Sequence, residues 1–204
     1  MPGKKVYSGK NIINSSFWVR FILRVKIPDI EKLCVRTAEI ASENKQLCTQ
    51  ENFEFMSNAV TALALYEMFR NKKMSKTCAY YALARPMWDY CEDLAYKYYK
   101  KTKSRNAFRR LAGKLSDKIS DESLKAFEIN IINSDDQKIC IECSRCIYAQ
   151  FFEKYGLKDI AAMFCWAEEI IYGSMKNISF SREGSMCMGD GKCLFCLKNT
   201  SASE

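Results

Sequence analysis

The chain has 204 residues, 48% of them apolar and 13% aromatic, with a formal net charge of +8 and no histidine. That length holds one domain of about 150 to 200 residues or two small ones packed closely, and eight Gly with three Pro exclude a collagen-like or linker-dominated chain. Without imidazole there is no Ser-His-Asp or Cys-His nucleophile pair, no histidine-ligated zinc site and no imidazole proton shuttle, so any catalysis rests on Cys, Asp, Glu, Lys, Arg, Tyr or a metal.

Residues 1–28 read as a basic, partly ordered segment. The stretch MPGKKVYSGKNIINSSFW lacks the apolar core and small-residue cleavage site of a secretory signal. Arg20, Arg24 and Lys26 interrupt the apolar run from Phe17 to Ile27, and no uncharged segment approaches the roughly 20 residues needed to cross a bilayer. The expectation is a cytoplasmic protein whose eleven cysteines are free or metal-bound thiols.

Residues 29–124 read as a helical region. Asp29 is placed to cap a helix on which Ile30, Leu33, Cys34 and Ala38 follow helical spacing, ending near Asn44. A second helix spans about Asn52 to Arg70, with Phe55, Ala59, Ala62, Leu63 and Tyr66 on or near one face. Ser75 starts a third, and Pro86 inside it should kink or divide it. A short helix from Asn106 to Leu115 follows. The basic stretch KYYKKTKSRNAFRR interleaves cations with Tyr98, Tyr99 and Phe108. That pattern would suit base stacking, but helical periodicity favours aromatics facing inward and cations outward, so nucleic acid is the weakest partner reading.

The period falls from 3.6 to 2 after Leu124. FEINIINSDDQKICIECSRC alternates on both sides of Ser134, Asp135 and Asp136, which predicts a β-hairpin. In its second strand Ile139, Ile141 and Cys143 share one face, and Cys140 and Glu142 share the other. Two helices are expected at Arg145–Tyr155 and Lys158–Tyr172, ended by Gly156 and Gly173. ISFSRE and SMCMGDGKCLFCLK should pair as strands, with a turn at Gly189, Asp190 and Gly191. Residues 125–198 thus form an α+β core with an antiparallel sheet, packed with the helical half, and 199–204 are a tail.

Cys140, Cys143 and Cys146 form C-x2-C-x2-C, and Cys193 with Cys196 forms C-x2-C. As strings these match iron-sulfur or zinc spacing. On a strand, however, residues three apart point to opposite faces and cannot readily grip one ion. A site taking one cysteine from each element is geometrically easier: Cys146 at a helix start, Cys165 within a helix and Cys193 on the last strand, joined by Cys187 if its face is right. A helix start would also favour the Cys146 thiolate.

Arg145-Cys146-Ile147-Tyr148-Ala149, then Phe152 and Gly156, then Cys165-Trp166-Ala167-Glu168, then Arg182, then Gly189-Asp190 with Cys193 three residues on, occur in the order and spacing of a known family. The chain resembles the L-2-amino-thiazoline-4-carboxylic acid hydrolase family, mainly over residues 126–197, with a weaker echo in ALALYEMFRNKKMSKTCAYYAL. Glu168 stands where that family usually carries Asp. More remotely, the chain is similar to four-vinyl reductase type small-molecule-binding domains, whose α+β cores often hold zinc through cysteines.

The resemblance implies a hydrolase that opens a small cyclic amidine or thiazoline carboxylate at a C–N bond. Arg182 and Tyr148 would bind the substrate, with Arg182 on its carboxylate. Cys146, Glu168, Asp190 and Cys193 would be catalytic, Asp190 acting on water and Glu168 on a proton. Two versions stay open: zinc held by Cys146, Cys165 and Cys193 activating water, or a thiolate nucleophile without metal. The alternative function is a noncatalytic small-molecule or metal-sensing module. The partner expected in either case is a small carboxylate-bearing ligand, with no membrane and with room for a homo-oligomer.

Overall fold

A computed structural model describes residues 7–101, 106–120, 124 and 126–201. The expectations for Lys103, Arg105 and the last three residues of the tail lie outside the described residues. The chain divides into two compact units, one ending at Met87 and the other starting at Trp88.

The first unit is helical. Two short helices, α1 (Gly9–Ser15) and α2 (Val19–Val25), occupy the segment expected to be partly ordered, and α3 (Ile30–Glu43) and α4 (Phe53–Asn71) follow. Helix α4 is apolar almost all round, and every residue from Ala59 to Leu65 on it is buried, as befits a central helix. Trp18, fully buried, donates its indole N–H to the Asn58 carbonyl at 3.0 Å. Helix α1 lies so close to α3 that a Cβ on Gly9 would meet the Cys34 carbonyl oxygen, which is why glycine stands there.

Helix α5 (Lys76–Lys101) carries Pro86 inside it and is not divided there. Proline removes one backbone donor, but both flanking turns keep their own bonds, and Leu83, Ala84 and Met87 around it are buried; packing of the apolar face holds the helix through a local loss. No helix among the described residues is long and apolar enough to cross a membrane.

The second unit is α+β. After α6 (Ala107–Ser120) come β1 (Phe127–Ser134), β2 (Lys138–Cys146), α7 (Ile147–Glu153), α8 (Lys158–Gly173), β3 (Ile178–Glu183), a single 3-10 turn at Met186–Met188, and β4 (Cys193–Asn199). The sheet is antiparallel in the order β1-β2-β4-β3. The two expected strand pairs therefore join edge to edge through β2 and β4.

Register decides where the cysteines go. Ile139 faces Leu197, Ile141 faces Phe195 and Cys143 faces Cys193, while on β3 Phe180 faces Leu197 and Arg182 faces Phe195. Because pleat alternation puts these residues on one side, a single sheet face runs from an apolar core to a polar end. Phe108 and Ala112 of α6 pack on Ile139, Ile141, Ile178 and Leu197. Tyr172 of α8 stacks near Phe180, with ring centres 5.8 Å apart, so α8 lies along β3 toward Arg182.

On the opposite face Cys140 and Cys196 sit directly across from each other, with Cα atoms 4.2 Å apart, and form a disulfide. This corrects the expectation that all thiols are free or metal-bound. The two C-x2-C strings run antiparallel side by side, so their outer members pair on one face and their inner members face each other on the other. Closing a loop of 56 residues restricts the unfolded chain by about 4 kcal/mol. Replacing both Cys140 and Cys196 by Ser should lower unfolding free energy by about that amount in a denaturant titration of the full chain.

Candidate active site

Five free thiols, Cys143, Cys146, Cys165, Cys187 and Cys193, are buried in the second unit at the polar end of the sheet's core face. Cys146 closes β2 with extended backbone and immediately precedes α7. The N–H groups of Tyr148 and Ala149 at the start of that helix lower its thiol, after the larger effect of the Cys187 thiol, whose sulfur is 3.9 Å away. Cys165 lies on α8 one turn before Glu168, so the two share a helix face.

The turn between β3 and β4 is held by its own sequence. Asp190 accepts a hydrogen bond from the Ser185 N–H at 2.6 Å and donates its own N–H to the Ser185 carbonyl at 3.1 Å. The Met186 N–H donates to the Cys193 sulfur at 3.2 Å. Gly184 and Gly189 take φ of 72° and 107°, conformations that a side chain disfavours, and a Cβ on Gly184 would press to 2.8 Å from the Lys192 carbonyl. The Gly189-Asp190-x2-Cys193 spacing is thus the fastening of a loop, and what the loop presents inward is Ser185 and Cys187, both 2% exposed.

Cys165 is supported on several sides. The neighbouring Cys187 thiol, the Ser185 hydroxyl 3.3 Å away and the Arg182 charge together hold its thiol down at about 6 against the opposing effect of burial. Cys187, beside Cys146 and Cys165, is driven strongly upward and is the protonated thiol of the three. Burial pushes Cys143 up to about 12 and raises Cys193.

Arg182 is the electrostatic centre of the site. Its side chain is only 9% exposed, with Nη2 2.6 Å from Glu168 and Nη1 3.3 Å from Glu169, and its Nε is buried without a hydrogen-bond partner. Solvent reaches the Glu168 side chain, which is 46% exposed, yet the surrounding protein crowds its carboxyl enough to raise it to about 7 despite the pull of Arg182.

Of the residues expected from the sequence, Cys146, Cys165, Glu168, Arg182 and Cys193 lie within electrostatic reach of one another. Asp190 is exposed, and one of its carboxylate oxygens accepts from the Ser185 N–H, fastening the loop. Tyr148 stacks on Phe164 at 4.1 Å and meets Phe127 edge-on, so its ring belongs to an aromatic layer. Ser185 and Glu169 join the site unforeseen, since a lone Ser in SMCMGD and a second Glu on an exposed helix face carry no signal of their own.

Zinc does not fit the donors as they stand. Among the described residues no group of three or more Cys, Asp or Glu is placed to hold a metal ion: the sulfurs of Cys146 and Cys165 are turned to Cys187, and that of Cys193 is engaged by a backbone N–H.

A family model described as L-2-amino-thiazoline-4-carboxylic acid hydrolase matches residues 52–197, more than half of the chain and all of the thiol cluster. No curated protein and no solved structure matches the chain.

Proposed function

The chain belongs to the L-2-amino-thiazoline-4-carboxylic acid hydrolase family, and from this premise we propose that it opens the ring of a small cyclic amidine carboxylate at a C–N bond, with Cys165 as the nucleophile. The observation that carries the proposal is the grouping of the Cys165 thiol, lowered by its neighbours, with the half-exposed Glu168 carboxyl and the buried Arg182 guanidinium 2.6 Å from it.

Arg182 offers its substrate a better fork than it offers Glu168. Glu168 takes Nη2 alone, leaving Nε without a partner; a substrate carboxylate that replaces Glu168 gains both parallel N–H donors on that edge. Released from Arg182 into a crowded surround, Glu168 keeps its proton near neutral pH and becomes a general acid.

The chemistry then balances without imidazole. The Cys165 thiolate adds to the carbon of the protonated amidine, and the ring C–N bond breaks as its nitrogen takes the Glu168 proton. Water adds to the resulting thioimidate-type iminium carbon and yields a proton to Glu168. The thiolate leaves, the remaining proton passes to the freed amine, and the product is a ring-opened carbamoyl compound. Water has been consumed and every protein group restored.

The pH dependence follows in sign. Ring opening needs Cys165 deprotonated and Glu168 protonated, so kcat/KM for 2-aminothiazoline-4-carboxylate should rise through about 6 and fall through about 7. The groups around Glu168 that share in this titration are Arg182, Cys165, Glu169, Cys143 and Tyr172. Glu168→Gln should remove the alkaline limb and lower the maximum. A profile that keeps rising beyond pH 8 in the unaltered protein would contradict the assignment.

A further inference from the structure

Cys187 takes no bond-making part in these steps, yet it is the most enclosed thiol of the cluster. Its sulfur is 3.9 Å from that of Cys146, and Cys165 is the next thiol beside it. Cys146 is fixed at the junction of β2 and α7, and Cys187 in the turn that Asp190, Gly184 and Gly189 hold. A disulfide requires the sulfurs to come about 2 Å closer, a distance on the scale of a side-chain rotation. The other thiols are differently engaged: Cys165 has Ser185 beside it, Cys143 donates to the Arg145 carbonyl and Cys193 accepts from Met186.

We propose that Cys146 and Cys187 form a reversible dithiol–disulfide couple that switches the Cys165 site. In the reduced state the Cys187 thiol beside Cys165 helps to hold it as the thiolate; in the oxidised state that S–H is gone, and Cys165 reverts toward a neutral, unreactive thiol. The oxidant is a hydroperoxide. The Cys146 thiolate attacks a peroxide oxygen, the O–O bond breaks and Cys146 becomes a sulfenic acid. The Cys187 sulfur then attacks the Cys146 sulfur, the S–O bond breaks, water leaves and the S–S bond forms. Two electrons pass from the thiol pair to the peroxide, and a dithiol reductant reverses the process by exchange. The consequence for hydrolysis rests on the assignment of Cys165 as nucleophile, whereas the couple itself does not.

The full chain is exposed briefly to hydrogen peroxide, alkylated, proteolysed and mapped by mass spectrometry, while the rate of iodoacetamide labelling at Cys165 is followed. The expected result is a Cys146–Cys187 linked peptide, a fall of about tenfold or more in Cys165 labelling, and return of both to the starting state with dithiothreitol. Cys146→Ser should remove the cross-link together with the reversible loss of labelling. A cross-link between Cys165 and Cys187, sulfinic acid at Cys146 without any cross-link, or a Cys146–Cys187 bond that leaves Cys165 labelling unchanged would each overturn the proposal. If the cross-link and labelling behave as expected but no thiazoline turns over in either state, the switch stands and the hydrolase reading fails.

Discussion

Cys165→Ser is expected to reduce kcat/KM for 2-aminothiazoline-4-carboxylate by on the order of 10^3-fold or more. In many hydrolases a serine is rescued by a neighbouring histidine, but this chain has none, so the hydroxyl would have no base matched to it. The three supports of Cys165, namely Cys187, Ser185 and Arg182, stabilise a thiolate and do nothing comparable for a neutral alcohol. A second readout separates lost chemistry from lost structure. In the unaltered protein Cys165 should label with iodoacetamide along a titration centred at about 6, while Cys91, pushed up to about 11 by burial, should stay nearly inert at the same pH. If the Ser variant is folded and retains turnover within tenfold, Cys165 is not the nucleophile.

Arg182→Lys should raise KM for the same compound by about 100-fold with a smaller change in kcat. Lysine keeps the charge but not the planar edge formed by Nε and Nη2, so the substrate carboxylate loses the paired contact that lets it displace Glu168. The effect has a signature that misfolding would not produce. The analogue 2-aminothiazoline, lacking the carboxylate, should react poorly with both proteins and at similar rates, so the preference for the carboxylated compound collapses in the variant. An unchanged preference would show that the carboxylate is recognised elsewhere.

The alternation in KICIECSRC was enough to place Ile139, Ile141 and Cys143 on one face and Cys140 on the other, and the structure has that arrangement. The same parity argument separates the C-x2-C strings. What parity within one strand cannot supply is the partner across the ladder. That β4 pairs with β2, aligning Cys140 with Cys196 and Cys143 with Cys193, is a long-range choice set by how α7 and α8 return the chain to the sheet. Residues 9–15 and 19–25 were hidden for another reason: helices of seven residues show barely two turns of periodicity and draw their stability from packing.

The site was partly legible. Cysteines drawn one from each element do come near one another, and Arg182 lies on the same sheet face as Cys193 because the nine residues 184–192, containing the 3-10 turn, return β4 beside β3. The roles were less so. Asp190 reads as a catalytic carboxylate in isolation, whereas its oxygen is spent on Ser185. Glu168 was expected as a catalytic carboxyl, but nothing in the residue order shows that a single buried guanidinium draws both it and Glu169 toward it. Nothing in the order of residues reveals that Cys187 stands between Cys146 and Cys165, because that depends on the handed path of one short turn.

Ring opening itself is the central claim, and isotope transfer from solvent tests it most directly. The full chain is incubated with 2-aminothiazoline-4-carboxylate in water enriched in oxygen-18, and the products are weighed by mass spectrometry. The account predicts a carbamoyl product carrying one solvent oxygen, formed in proportion to protein and absent with Cys165→Ser. Saturable binding of the compound with no labelled product would contradict it and leave a noncatalytic binding module in its place.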